Sequence, residues 1–296
     1  MRKILLLSIS ILFFFNINAQ QKQALIENSD KNTLLWEVSG KGLSRSSYLF
    51  GTFHLMCKED IQFSSQLKKS LEAADEMYME LDMDDPSMLF GGLLMMNMKG
   101  GKKLKDLLPE KDYLRVSNFF KDSLKLPFAM MEGMKPYMLV AMLYPKMMPC
   151  KVTSGVEEEL MRLAKLNKKE IKGLETMAFQ SAVFDSIPYE QQAKELLKSI
   201  DSIDTYKIYF DSMMRVYKSQ QLDKIETLFN DKEFGMEEYQ DVLLDNRNKN
   251  WVQKLNAIMN KESVFVAVGA GHLPGKNGLI ALLQKEGYTV KPLANK

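Results

Sequence analysis

Residues 263–268 (Ser-Val-Phe-Val-Ala-Val) form an apolar, largely β-branched run. A strand without a polar face has to be covered on both sides, as interior strands of α/β sheets are. The run leads straight into Gly269-Ala270-Gly271-His272. Residues 47–53 (Ser-Tyr-Leu-Phe-Gly-Thr-Phe) read as another strand, and they lead into His54 with Gly51 three residues before it. The 296-residue chain has 2 His, and both follow a strand in a Gly-x-x-His sequence and precede a Leu, Leu55 or Leu273. In open α/β sheets ligands bind beyond the carboxyl ends of strands. Glycine at a strand exit permits a tight turn or a close backbone approach. Two such strands side by side would put two imidazoles in one cleft. Imidazole is a common metal ligand and an acid–base group that works near neutrality.

The rest of the pattern fits the same class. Residues 34–38 form a hairpin with 47–53 across the Gly- and Ser-rich turn 40–46. Ser64 or Ser65 caps a helix to about Asp75, and residues 76–82 (Glu-Met-Tyr-Met-Glu-Leu-Asp) are the next strand. Residues 87–150 read as mainly helical and Met-rich, broken by Gly pairs and by Pro109, Pro127, Pro136 and Pro145. Ser154 and Glu157 match a capping box for a helix to about Leu166. Residues 169–174 form a strand, 189–260 several amphipathic helices, 279–285 a helix closed by Gly287, and 288–293 a last strand. The expectation is an α/β fold: a single domain with a mixed sheet built from both chain ends around a long helical middle segment.

Arg2 and Lys3, an apolar run over residues 4–15 and a small residue at Ala19 read as a secretory signal peptide, residues 1–19, ahead of one domain over 20–296. The run is shorter than the ~20 apolar residues of a membrane span, and no Cys follows it for a lipid anchor. The expected location is therefore periplasmic or secreted, with membrane contact only during export. Removing residues 1–19 leaves 38 basic against 38 acidic residues, so nothing marks a nucleic-acid partner. Cys57 and Cys150 are expected to pair in an oxidising compartment.

Glu80 is the natural third member of the site, because a carboxylate among apolar strand neighbours is costly unless paired or metal-bound. Asp82, two residues on, shares its face. Glu175, after another strand and a Gly, is a further candidate; Arg247, in a polar helix, reads either as solvated or as an oxyanion contact; and Glu157 reads as a capping acid. Other chemistry is missing: there is no His-Glu-x-x-His helix, no Walker loop and no Gly-x-Ser-x-Gly elbow.

These residues resemble the TraB/GumN family, related to the Tiki proteases, over nearly the whole mature chain. The resemblance rests on Tyr48-Leu49-Phe50-Gly51-Thr52-Phe53-His54, Glu80, Ser154-Gly155-Val156-Glu157, Gly173-Leu174-Glu175-Thr176, Arg247-Asn248 and Val268-Gly269-Ala270-Gly271-His272-Leu273. It implies an active site made of the two Gly-x-x-His motifs and a strand-borne Glu. Tiki-like members are viewed as metal-dependent proteases, an esterase branch as using a His base without metal, and other relatives as acting in pheromone shutdown or haem binding.

The first expectation is thus a metal-dependent hydrolase, above all a peptidase acting on a peptide or protein substrate. His54, His272 and Glu80 would hold one divalent ion, Mn, Co or Zn. Glu175, or Glu80 if it is not a ligand, would be the general base, and Arg247 would steady an oxyanion. The alternatives are a metal-free His-based esterase and a non-catalytic protein that sequesters a peptide, haem or a metal. Fourteen of the 22 Met lie between Met77 and Met148, with Met134, Met138 and Met142 spaced for one helix face. Core packing is the favoured reading of that spacing; a Met-lined peptide groove is the other.

Overall fold

In a computed structural model, which describes residues 32–86, 92, 95–229 and 237–296, six strands make one mixed sheet and two more make a small ribbon. The proposed signal segment 1–19 lies outside the described residues. Among the described residues no helix is long and apolar enough to cross a membrane. The strands are β1 (Leu35–Ser39), β2 (Ser47–Thr52), β3 (Met56–Cys57), β4 (Glu76–Met79), β5 (Thr153–Ser154), β6 (Ile171–Gly173), β7 (Val264–Gly269) and β8 (Thr289–Pro292). The large sheet runs β6-β4-β7-β2-β1-β8. Its first four members are mutually parallel, and β1 is antiparallel to both β2 and β8. A mixed sheet built from both chain ends is therefore what forms. The reason is visible in β7, which pairs with β2 on one side and β4 on the other and needs cover on both faces.

Each face of β7 belongs to a different core. Phe265 and Ala267 enter a cluster with Leu67, Leu71, Val116, Leu160 and Leu196. These come from α1 (Ser65–Ala73), α2 (Glu110–Asn118), α4 (Val156–Leu166) and α6 (Tyr189–Asp201); the short α3 (Pro136–Ala141) adds Leu139, α7 (Ile203–Ser219) adds Phe210 and α8 (Leu222–Phe229) adds Ile225. Val264, Val266 and Val268 enter the opposite cluster, with Trp251 and Leu255 of α9 (Asn246–Met259) and Leu279 and Leu283 of α10 (Leu279–Lys285). Burying each large apolar side chain is worth about 1.5–3 kcal/mol. The helical middle thus covers one face and the C-terminal helices the other.

Two local expectations hold. Ser64 caps α1 by accepting from Leu67 N at 3.0 Å, and Gly287, at φ +94°, closes α10. Two expectations need correction. Helix α4 starts at Val156 behind Gly155 without a side-chain cap, so Ser154–Glu157 is not a capping box. Ser154 instead sits in the ribbon and donates to Glu158 at 2.9 Å, and Glu157 turns toward His54. Helix α3 is six residues long, so Met134 precedes it, Met142 is its C-cap, and the three methionines do not share one helix face.

The ribbon β3–β5 pairs Met56 with Ser154 and Cys57 with Thr153. Cys57 and Cys150 are joined in a disulfide beside it, with Cα atoms 5.8 Å apart. The ribbon follows His54 and precedes Glu157, so the cross-link ties together the two segments that carry them.

A buried ion pair anchors α5 (Met177–Asp185). Lys135, 1% exposed, meets Asp185 at 2.9 Å and donates to Ser181 Oγ at 2.6 Å and Met95 O at 2.9 Å. Removing one partner of such a pair leaves an uncompensated charge in the interior. Asp185→Ala is expected to lower stability by about 3–5 kcal/mol, read as a leftward shift of the urea midpoint.

Candidate active site at the carboxyl edge of the sheet

The four parallel strands end side by side, and each delivers one candidate residue. In spatial order these are Glu175 after β6, Glu80 after β4, His272 after β7 and His54 after β2. Residues far apart in sequence meet because parallel strands share one carboxyl edge. Glycine makes the approach close enough. A Cβ on Gly51 would lie 3.1 Å from Ala270 Cα and 3.0 Å from the Leu273 side chain. A Cβ on Gly269 would project into the site, 3.3 Å from Glu80 Oε1, 3.7 Å from the His272 ring and 4.0 Å from His54 Nε2. The Gly269 amide donates to Glu80 Oε1 at 2.9 Å.

Arg247, on α9, ties the edge together. Its Nη2 donates to Glu80 Oε2 at 2.6 Å and Glu175 Oε1 at 2.5 Å, and its Nε reaches both Glu175 oxygens at 3.2 Å. Its Nη1 donates to Leu243 O at 2.9 Å and meets His272 Nε2 at 3.2 Å. The five N–H groups of a guanidinium are thereby all engaged. Arg247 is buried and stacks over Trp251, its Cζ 4.8 Å from the ring centroid. Glu175, its side chain 2% exposed, also accepts from Trp251 Nε1 at 3.1 Å and Gln180 Nε2 at 3.2 Å.

The two imidazoles are held alike. His272 Nδ1 lies 2.7 Å from Asn248 Oδ1. Asn248 Nδ2 donates to His272 O and Asn277 O, so its Oδ1 is the acceptor and the His272 proton sits on Nδ1. His272 Nε2 is then the lone-pair atom facing Arg247 and Glu80 Oε1, the latter at 3.7 Å. His54 Nδ1 lies 2.7 Å from Glu157 Oε1, which also accepts from Thr52 Oγ1 at 2.6 Å. A carboxylate cannot donate, so the His54 Nδ1 carries a proton and Nε2 is left for other chemistry. Glu157, which the sequence reads as a capping acid, and Asn248, to which it gives no role, are thus site residues. Their signal was position alone: Glu157 shares a motif with Gly155, and Asn248 follows Arg247.

Charge follows from these contacts. Burial pushes the His272 pKa down to about 3, against the pull of Glu80, so this imidazole is neutral. Burial opposes the Glu80 charge, but His272, Arg247, His54 and the Gly269 N–H offset it and hold the pKa down at about 2. With His272 neutral, Arg247, the protonated His54 and the amide are the groups responsible. For His54, desolvation works downward, while the hydrogen bond and charge of Glu157 outweigh it and push the pKa up to about 9. The His54 side chain is 75% exposed at the cleft mouth, so solvent weakens both the desolvation and the pull of Glu157; the direction is upward.

Among the described residues no three His, Cys, Asp or Glu side chains cluster as a metal site; the Arg247 guanidinium lies between Glu80 and His272. The donor set nevertheless suits a divalent ion. Two imidazoles are each tied at Nδ1 by an acceptor, as metal-bound histidines commonly are, and one ionised carboxylate lies beside them.

The His54 shift is testable by NMR on metal-free protein. One imidazole resonance is expected to titrate near pH 9 and the other to stay neutral down to about pH 3. In Glu157→Gln the higher transition is expected to fall toward the ordinary value of 6.5. The sign is that of a partner favouring the charged form: the stabilisation from this pair is complete below pH 6.5 and is lost as pH rises through about 9.

The match to known proteins covers this whole architecture. The metalloprotease TIKI1 of Danio rerio is 24% identical, over 89% of this chain and 63% of its own length. The chain therefore spans less than two thirds of that curated relative. No solved structure matches. The model of the TraB/PrgY/gumN family matches residues 34–292, from the start of β1 to the end of β8, and so takes in all four strand ends and Arg247. This chain belongs to the TraB/PrgY/gumN family.

Proposed function

We propose that this protein is an exported hydrolase that cleaves amide bonds in peptides or proteins. The observation that carries the reading is the meeting of His54, Glu80 and His272 at one sheet edge, each imidazole fixed at Nδ1, with His54 Nε2 left over and His272 Nε2 facing Arg247 Nη1 at 3.2 Å. The likeness to a metalloprotease supports the reaction class. The Cys57–Cys150 disulfide supports export to an oxidising compartment, the periplasm or outside the cell.

His54, His272 and Glu80 would hold a divalent ion, Mn, Co or Zn. Such an ion would supply Lewis-acid polarisation of a carbonyl and a water of lowered pKa. The chain's own groups do the rest. Glu157 and Asn248 fix the tautomer and direction of the imidazoles. Glu80 is ionised and lines the cleft; where it is not an ion ligand, its carboxylate can take a proton from an attacking water, as a weak base whose oxygens already accept from Arg247 and the Gly269 amide. Glu175 has its oxygens filled by Arg247, Trp251 and Gln180, which suits an anchor better than a base. Arg247 balances both carboxylates, and an oxyanion contact from it requires exchanging one present partner.

The His54–Glu157 hydrogen bond favours a second reading. A carboxylate-held imidazole at a cleft mouth is a general acid–base pair that needs no ion. Calorimetry of the full chain with Mn, Co and Zn separates the two. The metal reading expects binding near one ion per chain, abolished in His54→Ala/His272→Ala. Absence of binding, with peptide or ester turnover lost in His54→Ala alone, would establish the ion-free mechanism instead. Saturable peptide binding without product would leave a sequestering protein.

A further inference from the structure

The catalytic edge opens into a cleft of about 600 Å³ whose apolar lining is mostly methionine. Six methionines outside the core, Met83, Met95, Met96, Met138, Met161 and Met177, line it together with Phe184; a seventh, Met79 of β4, is buried. The six come from the loop after β4, the segment before α2, and α3, α4 and α5. None of these six is fully buried; Met83 is 46% and Met95 36% exposed. That separates them from core methionines such as Met77 and Met147, at 0% and 3%. Helical spacing therefore does not account for the exposed set, which faces one cavity from separate elements. The volume lies within the ~300–1,000 Å³ of ordinary ligand sites.

The charges in the cleft restrict what fits. The lining cations already face carboxylates: Lys135 meets Asp185 at 2.9 Å, Arg247 meets Glu80 and Glu175, and His54 meets Glu157 at 2.7 Å. Near His54 the lining side chains are Glu157 and Glu158, the latter half exposed. An acidic ligand would meet like charge here, whereas a neutral or basic one would not. Methionine is flexible and polarizable, so such a wall selects apolar character rather than one shape.

Resting on the hydrolase reading, we infer that the methionine cleft is the substrate-specificity site and takes an extended, non-acidic peptide segment with large apolar side chains next to the scissile bond. The wall is continuous with His54, Glu80 and Arg247, which line the same cleft. A side chain seated among the methionines therefore holds its own backbone against the reactive groups. The cleft tolerates varied large apolar residues and disfavours Asp and Glu.

The test uses the full chain stripped of metal with chelator, and two fluorescein-labelled hexapeptides. One consists of Leu, Met and Phe; in the other, Glu replaces the two central residues. Fluorescence anisotropy is expected to show the apolar peptide binding at least about tenfold more tightly. Met83→Gln/Met95→Gln changes two exposed side chains to polar ones of similar length and is expected to weaken apolar binding about tenfold. Met130→Gln, at a side chain 84% exposed and outside the cleft lining, is the control and should change nothing. Equal affinity for both peptides, or no effect of the double substitution, overturns the inference. Mass spectrometry of both peptides with metal-loaded protein separates it from the hydrolase reading. Cleavage without apolar preference removes this inference and keeps the hydrolase, while selective apolar binding without cleavage removes the hydrolase and keeps the apolar-peptide site.

Discussion

A guanidinium buried between two carboxylates organises the reactive edge of this protein. Arg247 reaches Glu80 from β4 and Glu175 from β6, and it touches His272 after β7. Isolated in the interior, any of these charges would be strongly unfavourable; together, with Trp251 and Gln180 completing the hydrogen bonds, they compensate one another. The network also joins α9 to the strand ends, so the helix layer on one face and the site on the edge share one set of contacts. Because breaking such a pair costs more than forming it gains, the arrangement specifies geometry more than it adds stability.

Steric closeness is the second condition. Gly51 lets the first histidine motif lie against Ala270 of the second, and Gly269 leaves open the point on which Glu80, His272 and His54 converge. Side-chain supports then differentiate the imidazoles. Asn248 is neutral and holds a buried, neutral His272; Glu157 is charged and holds an exposed, more basic His54. Two rings in matching sequence settings therefore have different electrostatics. One is suited to lone-pair donation, the other to carrying or releasing a proton. The ribbon and its disulfide matter because they bring Glu157 to His54 from a segment about a hundred residues away.

Much of this was legible in the residue pattern, for identifiable reasons. The strand into His272 is apolar at every alternate position on both faces, and only an interior strand of a covered sheet satisfies that. Glycine three residues before each His marked the strand exits. Glu80 stood out because a carboxylate among buried neighbours needs a partner. Less legible were roles that depend on what lies across space. Ser154 and Glu157 have capping-box spacing, yet the chain enters α4 from a ribbon and Glu157 finds a histidine instead. Arg247 sits in a polar stretch of sequence but is buried, because its partners come from two other strands. The methionines had helical spacing, but a helix of six residues cannot gather positions eight apart onto one face.

The sequence by itself determined the class of fold, the strands that end in chemistry and the residue types delivered there. Periodicity, glycine placement and the desolvation of charge are local properties, written in consecutive residues. Tertiary structure alone decided which of those residues touch, which imidazole is charged, which carboxylate is an anchor and which methionines face a cleft. Each of those outcomes depends on distances between segments separated by tens to hundreds of residues, and such distances exist only after the parallel strands have aligned their carboxyl ends.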